Sequence, residues 1–440
     1  MTHPLLTDKM SPGLLHKLVT AFTMLSILAL AACQAAQYPG EGNVLPTAEP
    51  QEPPQASVPE RPPRVPTICL EDRYGCTVIA ADETIKLGFA GTLAGSRAAA
   101  DQELEAAAQT AVALTPSYFG WVFELISANT LGTASIGQIS AREWMVSGPA
   151  VVGVIGHSAS AEMNAVLPIY SEFGVPVMSI ACTDSELSQL GYTVFSRLVY
   201  NRDALIEAEA EFLSSNLGVD NILIVHDTSP QGEADAQALA VAFAAGGGMV
   251  SGSRLVQPRT DGPGYEVAVR DLNALAIKGI YYAGDVPGAA ALVQQLIEDE
   301  APLIPLLVSD NVYGVGLIEA LDSVEYPVYA AAAPVSATET SFDLRVHFVQ
   351  TTGETLLTHS AFTPYAFDAV AALVYAVERV AVVGADGNLY VPRAAMLEEL
   401  RGLRNFQGVG GNATCSAEGE CNVAGPAFYT LQAGVWAQVR

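Results

Sequence analysis

Two serines, a threonine and two aspartates stand where side-chain chemistry could matter, directly after short apolar runs. Ser158 and Ser160 follow Ala150-Val-Val-Gly-Val-Ile155 and open the next helical stretch. A hydroxyl beside the unpaired N–H groups of a helix start is a ready place for a carboxylate, and equally an ordinary helix cap. Thr183 begins Thr183-Asp-Ser-Glu186, a capping-box pattern, after the run Val175–Ile180. A helix start capped in this way still offers N–H groups to an anion. Asp285 and Asp310 follow two further runs. Each is either a cap, with Pro287 supporting a helix start after Asp285, or a carboxylate offered to an ammonium or amide group.

Other chemistries find less support. Gly156-His-Ser-Ala-Ser160 approaches the nucleophile elbow G-x-S-x-G, in the right strand-turn-helix setting, but its fifth residue is serine. His226, His347 and His359 lie downstream with no distinctive acid to mark a triad, so a serine hydrolase using Ser158 is the weaker alternative. Gly88, Gly91 and Gly95 do not make G-x-G-x-x-G, and no phosphate-loop motif occurs. No cofactor is expected. No metal is expected either, because neither close pair of cysteines has C-x2-C spacing and no histidine lies beside them.

The elements that must position these residues alternate along the chain. Strands are expected at Thr84–Ala90, Ala150–Ile155, Val175–Ile180, Asn221–His226, Ile280–Ala283 and Ile304–Val308. Helices are expected at Ala98–Leu114, Ser160–Phe173, Glu233–Gly246 and Gly288–Glu300. Near-continuous apolar strands alternating with helices of this length give parallel sheets covered on both faces, an α/β fold. In such sheets ligands sit outside the carboxyl ends of the strands, which is where the residues above fall.

Composition bounds the function. The 440 residues carry 20 Lys+Arg against 47 Asp+Glu, a net charge of −27, while half of them are apolar. A phosphate-tracking surface needs an excess of basic residues, so nucleic acid is excluded as a partner. At the N-terminus Lys9, His16 and Lys17 precede the apolar run Leu18–Leu30 and then Ala31-Ala32-Cys33. That is a secretory signal, too short to span a bilayer, ending in a bacterial lipobox whose Cys33 is expected to carry lipid. A proline-rich stretch from 34 to 66 reads as a semi-extended tether. Beyond Cys33 the cysteines are Cys69, Cys76, Cys182, Cys415 and Cys421. Export permits disulfides, and the expectation is Cys69–Cys76 and Cys415–Cys421, both short and in turn-rich stretches, with Cys182 free.

These motifs, taken in order, carry a family resemblance. Ile85-Lys-Leu-Gly-Phe-Ala-Gly-Thr-Leu-Ala-Gly95, Gly153-Val-Ile-Gly-His-Ser-Ala-Ser160, Gly174-Val-Pro-Val-Met-Ser179, Thr183–Leu187 with Gly191-Tyr192, and Ile224-Val-His-Asp227 resemble type 1 periplasmic solute-binding proteins of the branched-chain amino acid branch. Phe406-Gln-Gly408 with Gly425-Pro-Ala-Phe428 is similar to that family's ending. The resemblance spans about 84–440. It implies two Rossmann-like lobes with a ligand cleft between them, the first at 84–203 plus 334–400 and the second at 204–333 plus 401–440, after a signal peptide at 1–32 and a lipidated tether at 33–83. It implies that Ser160 and Thr183 hold an amino acid's carboxylate with main-chain help at Ala181, and that Asp310 takes the ammonium. Positions usually filled by aromatic walls hold Ala99 or Ala100, Gln231 and Asp285, which points away from a purely aliphatic side chain. It further implies a monomeric receptor for a small polar solute in the cell envelope, serving the permease of an ABC importer and touching membrane only through its lipid. A ligand sensor of the same fold is the alternative.

Overall fold

The apolar runs do become strands buried on both faces. A computed structural model describes residues 65–440 apart from 96–97, 149, 256–264, 266–269, 271, 273, 322–324, 423–424 and 440. The signal segment, Cys33 and the tether up to residue 64 lie outside the described residues, and the tether does not run to 83 as expected: Thr67–Glu71 is helical and Cys76–Ile79 pairs antiparallel with Leu389–Pro392. The first lobe is built on five parallel strands in the spatial order Phe123–Asn129, Ile85–Gly91, Val151–Gly156, Val177–Ser179 and Phe195–Arg197. Val151–Gly156 is buried at every position, as a central parallel strand covered by helices on both sides must be. Phe123–Asn129 lies at the edge and is buried only in part, which is why it tolerates Glu124 and Ser127.

The second lobe carries seven strands. Met249–Leu255, Asn221–His226, Gly279–Ala283, Leu306–Val308 and Val328–Ala332 run parallel, and the antiparallel hairpin Ala427–Gln432/Val435–Gln438 extends the sheet at Val328–Ala332. Helices Ala98–Leu114 and Ser160–Phe173 fall on their expected bounds. The helix expected at Glu233 starts earlier, at Pro230, because Ser229 caps it: its Oγ accepts the Gly232 N–H at 2.9 Å. Proline suits the first helical position, where its missing N–H costs nothing. Helix Thr363–Val380 is buried on most of its surface and packs against both Ala98–Leu114 and the strand Val151–Gly156.

The chain passes between the two sheets after Arg197, after Ala332 and before Ala427. A passage at 401, as the resemblance implied, is not what the contacts show. The hairpin Phe406–Ala413 packs on Thr363–Val380, and Glu420 pairs with Arg197, so this segment stays with the first lobe. The Cys415–Cys421 bridge closes the loop that carries Glu420. Cys69–Cys76 is also bonded, and Cys182 is free and buried.

Asp368, on the long buried helix, fastens the hairpin. Its two carboxylate oxygens accept the N–H groups of Val409 at 2.6 Å and Gly410 at 2.9 Å. A Cβ at Gly408 would fall 2.3 Å from Asp368 Oδ2, so the turn can come this close only as glycine. The Val409 carbonyl in turn accepts the Ser336 N–H, on the second passage between the lobes, at 2.7 Å. Tyr365, one helical turn before Asp368, receives a hydrogen bond at its hydroxyl from Asn422 Nδ2 at 2.8 Å, just ahead of the third passage.

Burial pushes the Asp368 carboxyl up to about 7 despite the two N–H donors. The unfolded chain releases this proton near 3.8, so between that pH and about 7 the folded state holds one proton more. Its contribution to stability therefore falls as pH rises through this window and is level above it. Urea unfolding from pH 4 to 8 is expected to show that decline in the wild type and a shallower one in Asp368→Asn. Identical slopes in the two proteins would contradict it.

Candidate functional site

The first loop of the site is shaped by what lies behind it. Gly156 has φ +106°, and a Cβ there would sit 2.2 Å from the Ala90 carbonyl oxygen, so the strand can end in this turn only with glycine. His157 then turns inward, with Nδ1 2.5 Å from Glu162 Oε1 and Nε2 2.9 Å from the Tyr170 hydroxyl. All three residues are wholly buried. Ser158 hydrogen-bonds instead to Asp101, its Oγ donating to Oδ2 at 2.5 Å. Burial raises the Asp101 pKa, and the bonds from Ser158 and Thr92 work against that rise. The elbow therefore lacks a histidine at its serine. Ser160 opens the helix that follows, and its Oγ accepts the Asp184 N–H at 3.4 Å.

That bond ties Ser160 to the second loop, after strand Val177–Ser179. Arg197, 0% exposed, stands behind this loop and donates from Nη1 to the carbonyls of Cys182 at 3.0 Å and Asp184 at 2.7 Å. The two carbonyls bracket Thr183. The short helix Ser185–Leu190 is capped by Asp184, whose Oδ1 accepts the Glu186 N–H at 2.9 Å. Thr183 is thus not the cap its sequence context suggested, and its hydroxyl serves elsewhere. Ala181 is half-buried at the start of the same loop.

What donates to the Thr183 hydroxyl is Arg202, a residue the sequence reading passed over. Arg202 begins helix Arg202–Glu211, just past the first passage between the lobes. Its backbone N–H donates to the Thr183 carbonyl at 2.7 Å and its Nη2 to Thr183 Oγ1 at 2.8 Å. Nη1 pairs with Asp235 of the second lobe, and Gln231 Nε2 donates to the same Asp235 oxygen at 2.7 Å. A signal was available in the sequence. A cation in the first turn of a helix opposes the helix dipole, and Asn201 already supplies the cap through a 2.8 Å bond from the Ala204 N–H.

Asp310 completes the group. It follows strand Leu306–Val308, is 5% exposed, and its Oδ2 is buried with no hydrogen-bond partner. Burial raises its pKa, and attraction to Arg202 is the main force holding it down. Burial followed by repulsion from Asp310 drives the Glu209 pKa well above the usual carboxyl range. For Arg202 burial acts to lower the pKa, but Asp310 and Asp235 outweigh it and keep the guanidinium charged.

The structure therefore links Thr183 and Gln231 through Arg202 and Asp235, ties Ser160 to the Thr183 loop through the Asp184 N–H, and sets Asp310 in electrostatic contact with Arg202. Asp285 joins none of these bonds. It is exposed and caps helix Val286–Glu298, its Oδ1 accepting the Gly288 N–H at 2.9 Å, so its place as a wall of the pocket gives way to its helix.

Hydroxyls and a helix start on one lobe are thus joined, through Arg202 and Asp235, to buried carboxylates on the other. A family model for periplasmic binding proteins matches residues 84–434. The chain belongs to that family. Its fold is that of a leucine-binding protein from Thermotoga maritima, at 20% identity and TM-score 0.67 over 81% of this chain and 98% of the other. A branched-chain amino acid transporter substrate-binding protein from Streptococcus pneumoniae, solved with isoleucine, matches at 16% identity and TM-score 0.67 over 81% and 99%. A solute-binding protein of an ABC transporter from Rhodopseudomonas palustris, solved with 3,4-dihydroxybenzoic acid, matches at 14% identity and TM-score 0.64 over 79% and 93%. No curated protein sequence matches.

As a binding protein whose Ser158 is bonded to a carboxylate rather than a histidine, the chain should not react with a fluorophosphonate probe. Covalent labelling found at Ser158 by mass spectrometry would overturn this reading of the loop.

Proposed function

We propose that this periplasmic binding protein captures a small zwitterionic solute of the amino-acid type between its lobes and delivers it to the permease of an ABC importer. The observation that carries the proposal is the buried, partnerless Asp310 Oδ2, on the second lobe, electrostatically joined through Arg202 to the Ser160/Thr183 side of the first. In this reading Ser160, Thr183 and the main chain at Ala181 hold the solute's carboxylate. Helix Ser160–Phe173 adds its N-terminal N–H groups. Asp310 receives the ammonium, and Gln231 lies close enough to Asp235 to shape the far end of the pocket. The solved relatives named above were bound to isoleucine and to a dihydroxybenzoate, so this fold accommodates carboxylates of differing size.

The N-terminus supports an envelope location. Leu30-Ala-Ala-Cys33 after an apolar run supports lipidation at Cys33, with the proline-rich stretch as a spacer. No helix among the described residues is long and apolar enough to cross a membrane. Replacing Cys33 by serine is expected to abolish incorporation of a labelled fatty acid into the protein. A wild-type mature chain that takes up no label would remove the anchor.

Native mass spectrometry of the purified protein is expected to show a co-purified small molecule bearing an amine and a carboxylate. Against that molecule, calorimetry is expected to find that Asp310→Asn costs roughly 2–5 kcal/mol, about 30-fold to several thousand-fold in affinity. Thr183→Ala should cost less, roughly 1.5–3 kcal/mol, because main-chain donors remain. Unchanged affinity in Asp310→Asn would end the amino-acid reading.

A further inference from the structure

Arg202 does more than an internal ion pair requires. Asp235 is 4% exposed at its side chain, and Arg202 alone of the pair keeps appreciable solvent contact, at 18%. Its guanidinium reaches from the Thr183 hydroxyl on the first lobe to Asp235 on the second, so it lies between the lobes rather than within either. The bonds to Thr183 and Asp235 engage only part of its planar N–H fork, and an arginine fork matches a carboxylate in two-point geometry. A carboxylate held by Thr183 Oγ1 would lie within contact range of a guanidinium whose Nη2 is 2.8 Å from that same oxygen.

Charge makes the point independently. The chain carries a net −27, and Asp235 and Asp310 both face this position. A carboxylate entering beside those acids without a compensating cation would be repelled. Arg202 is the cation at that place, and Asp310, which it attracts, keeps a buried oxygen without a partner, open to a donor of opposite charge.

We infer that Arg202 is a direct carboxylate receptor of the cleft, so that the solute must carry a carboxylate and amide- or urea-type solutes are refused. This rests on the reading of Ser160 and Thr183 as the edge of the binding site and adds to it the residue that sets the ligand's charge. Hydroxyls and main-chain N–H groups alone would accept a neutral carbonyl as readily as an anion. A guanidinium beside them separates the two classes.

The test uses the full-length protein, with thermal shift and calorimetry against three sets of probes: the amino acids, the matching amino-acid amides, and carboxylates without an amine such as benzoate and glutarate. The wild type is expected to bind at least one amino acid and to bind its amide at least 100-fold more weakly. Arg202→Gln should lose 30-fold or more for the acid and little for the amide, so the acid-over-amide preference collapses. A loss of fold would weaken both alike. Arg202→Lys, which keeps the charge without the fork, should retain the preference at reduced affinity. An amino acid bound equally by wild type and Arg202→Gln would overturn the role of Arg202 and leave the amino-acid reading standing. Amine-free carboxylates bound by the wild type and lost in Arg202→Gln would do the reverse. Preferential binding of amides, or binding of none of the three sets, would overturn the inference.

Discussion

A fully buried arginine behind the site is the constraint from which the arrangement of the cleft follows. Arg197 has no exposed surface, and all three nitrogens of its guanidinium donate: to two carbonyls of the Thr183 loop on one side and to both carboxylate oxygens of Glu420 on the other. Its own backbone N–H donates to the Gly419 carbonyl and its carbonyl accepts from Cys421. A buried cation left without such partners would cost several kcal/mol, so the loop, the strand end and the disulfide-closed segment hold their places together. Thr183 is presented toward Arg202 because Arg197 fixes the carbonyls on both sides of it.

The same economy extends to the passages between the lobes. The segment from 405 to 422 touches all three: Glu420 meets Arg197 ahead of the first, Val409 meets Ser336 on the second, and Asn422 leads into the third. Asp368 and Tyr365, on one face of the long buried helix, anchor that segment to the core of the first lobe. Relative motion of the lobes must therefore be taken up beyond these anchors, in the few residues that lead into the second sheet. Hinges of this kind absorb their rotation in a handful of element-terminal positions while the lobes stay rigid.

Much of this was legible in the sequence because its signals are local. The apolar runs at Val151–Gly156 and Asn221–His226, the helix starts at Ala98 and Ser160, and the positions of Ser160, Thr183 and Asp310 after strands all follow from neighbours within a few residues. What escaped depends on distance along the chain. Helix Thr363–Val380 exposes only Ala371, Tyr375, Glu378 and Arg379, so the stretch before Ala371 is an unbroken buried run in which no polar face marks the helix. Strand Phe195–Arg197 has three residues, too few for any pattern. The roles of Arg197 and Arg202 rest on partners that the fold brings together, Glu420 for one and Asp235 for the other. Asp285 and Asp310 looked alike as residues after strands, and only the structure separates the helix cap from the buried carboxylate.

The unpaired thiol has a practical consequence of another kind. Burial pushes the Cys182 pKa up to about 12, and the remaining cysteines among the described residues are tied in two disulfides. Since the thiolate is the reacting species, Cys182 is chemically silent toward alkylating dyes at neutral pH. The folded lobes therefore offer a clean background for a reporter. A single cysteine placed on the exposed rim of the cleft and coupled to an environment-sensitive fluorophore would make the protein an optical biosensor for its own solute, with no cysteine of the described residues first having to be removed.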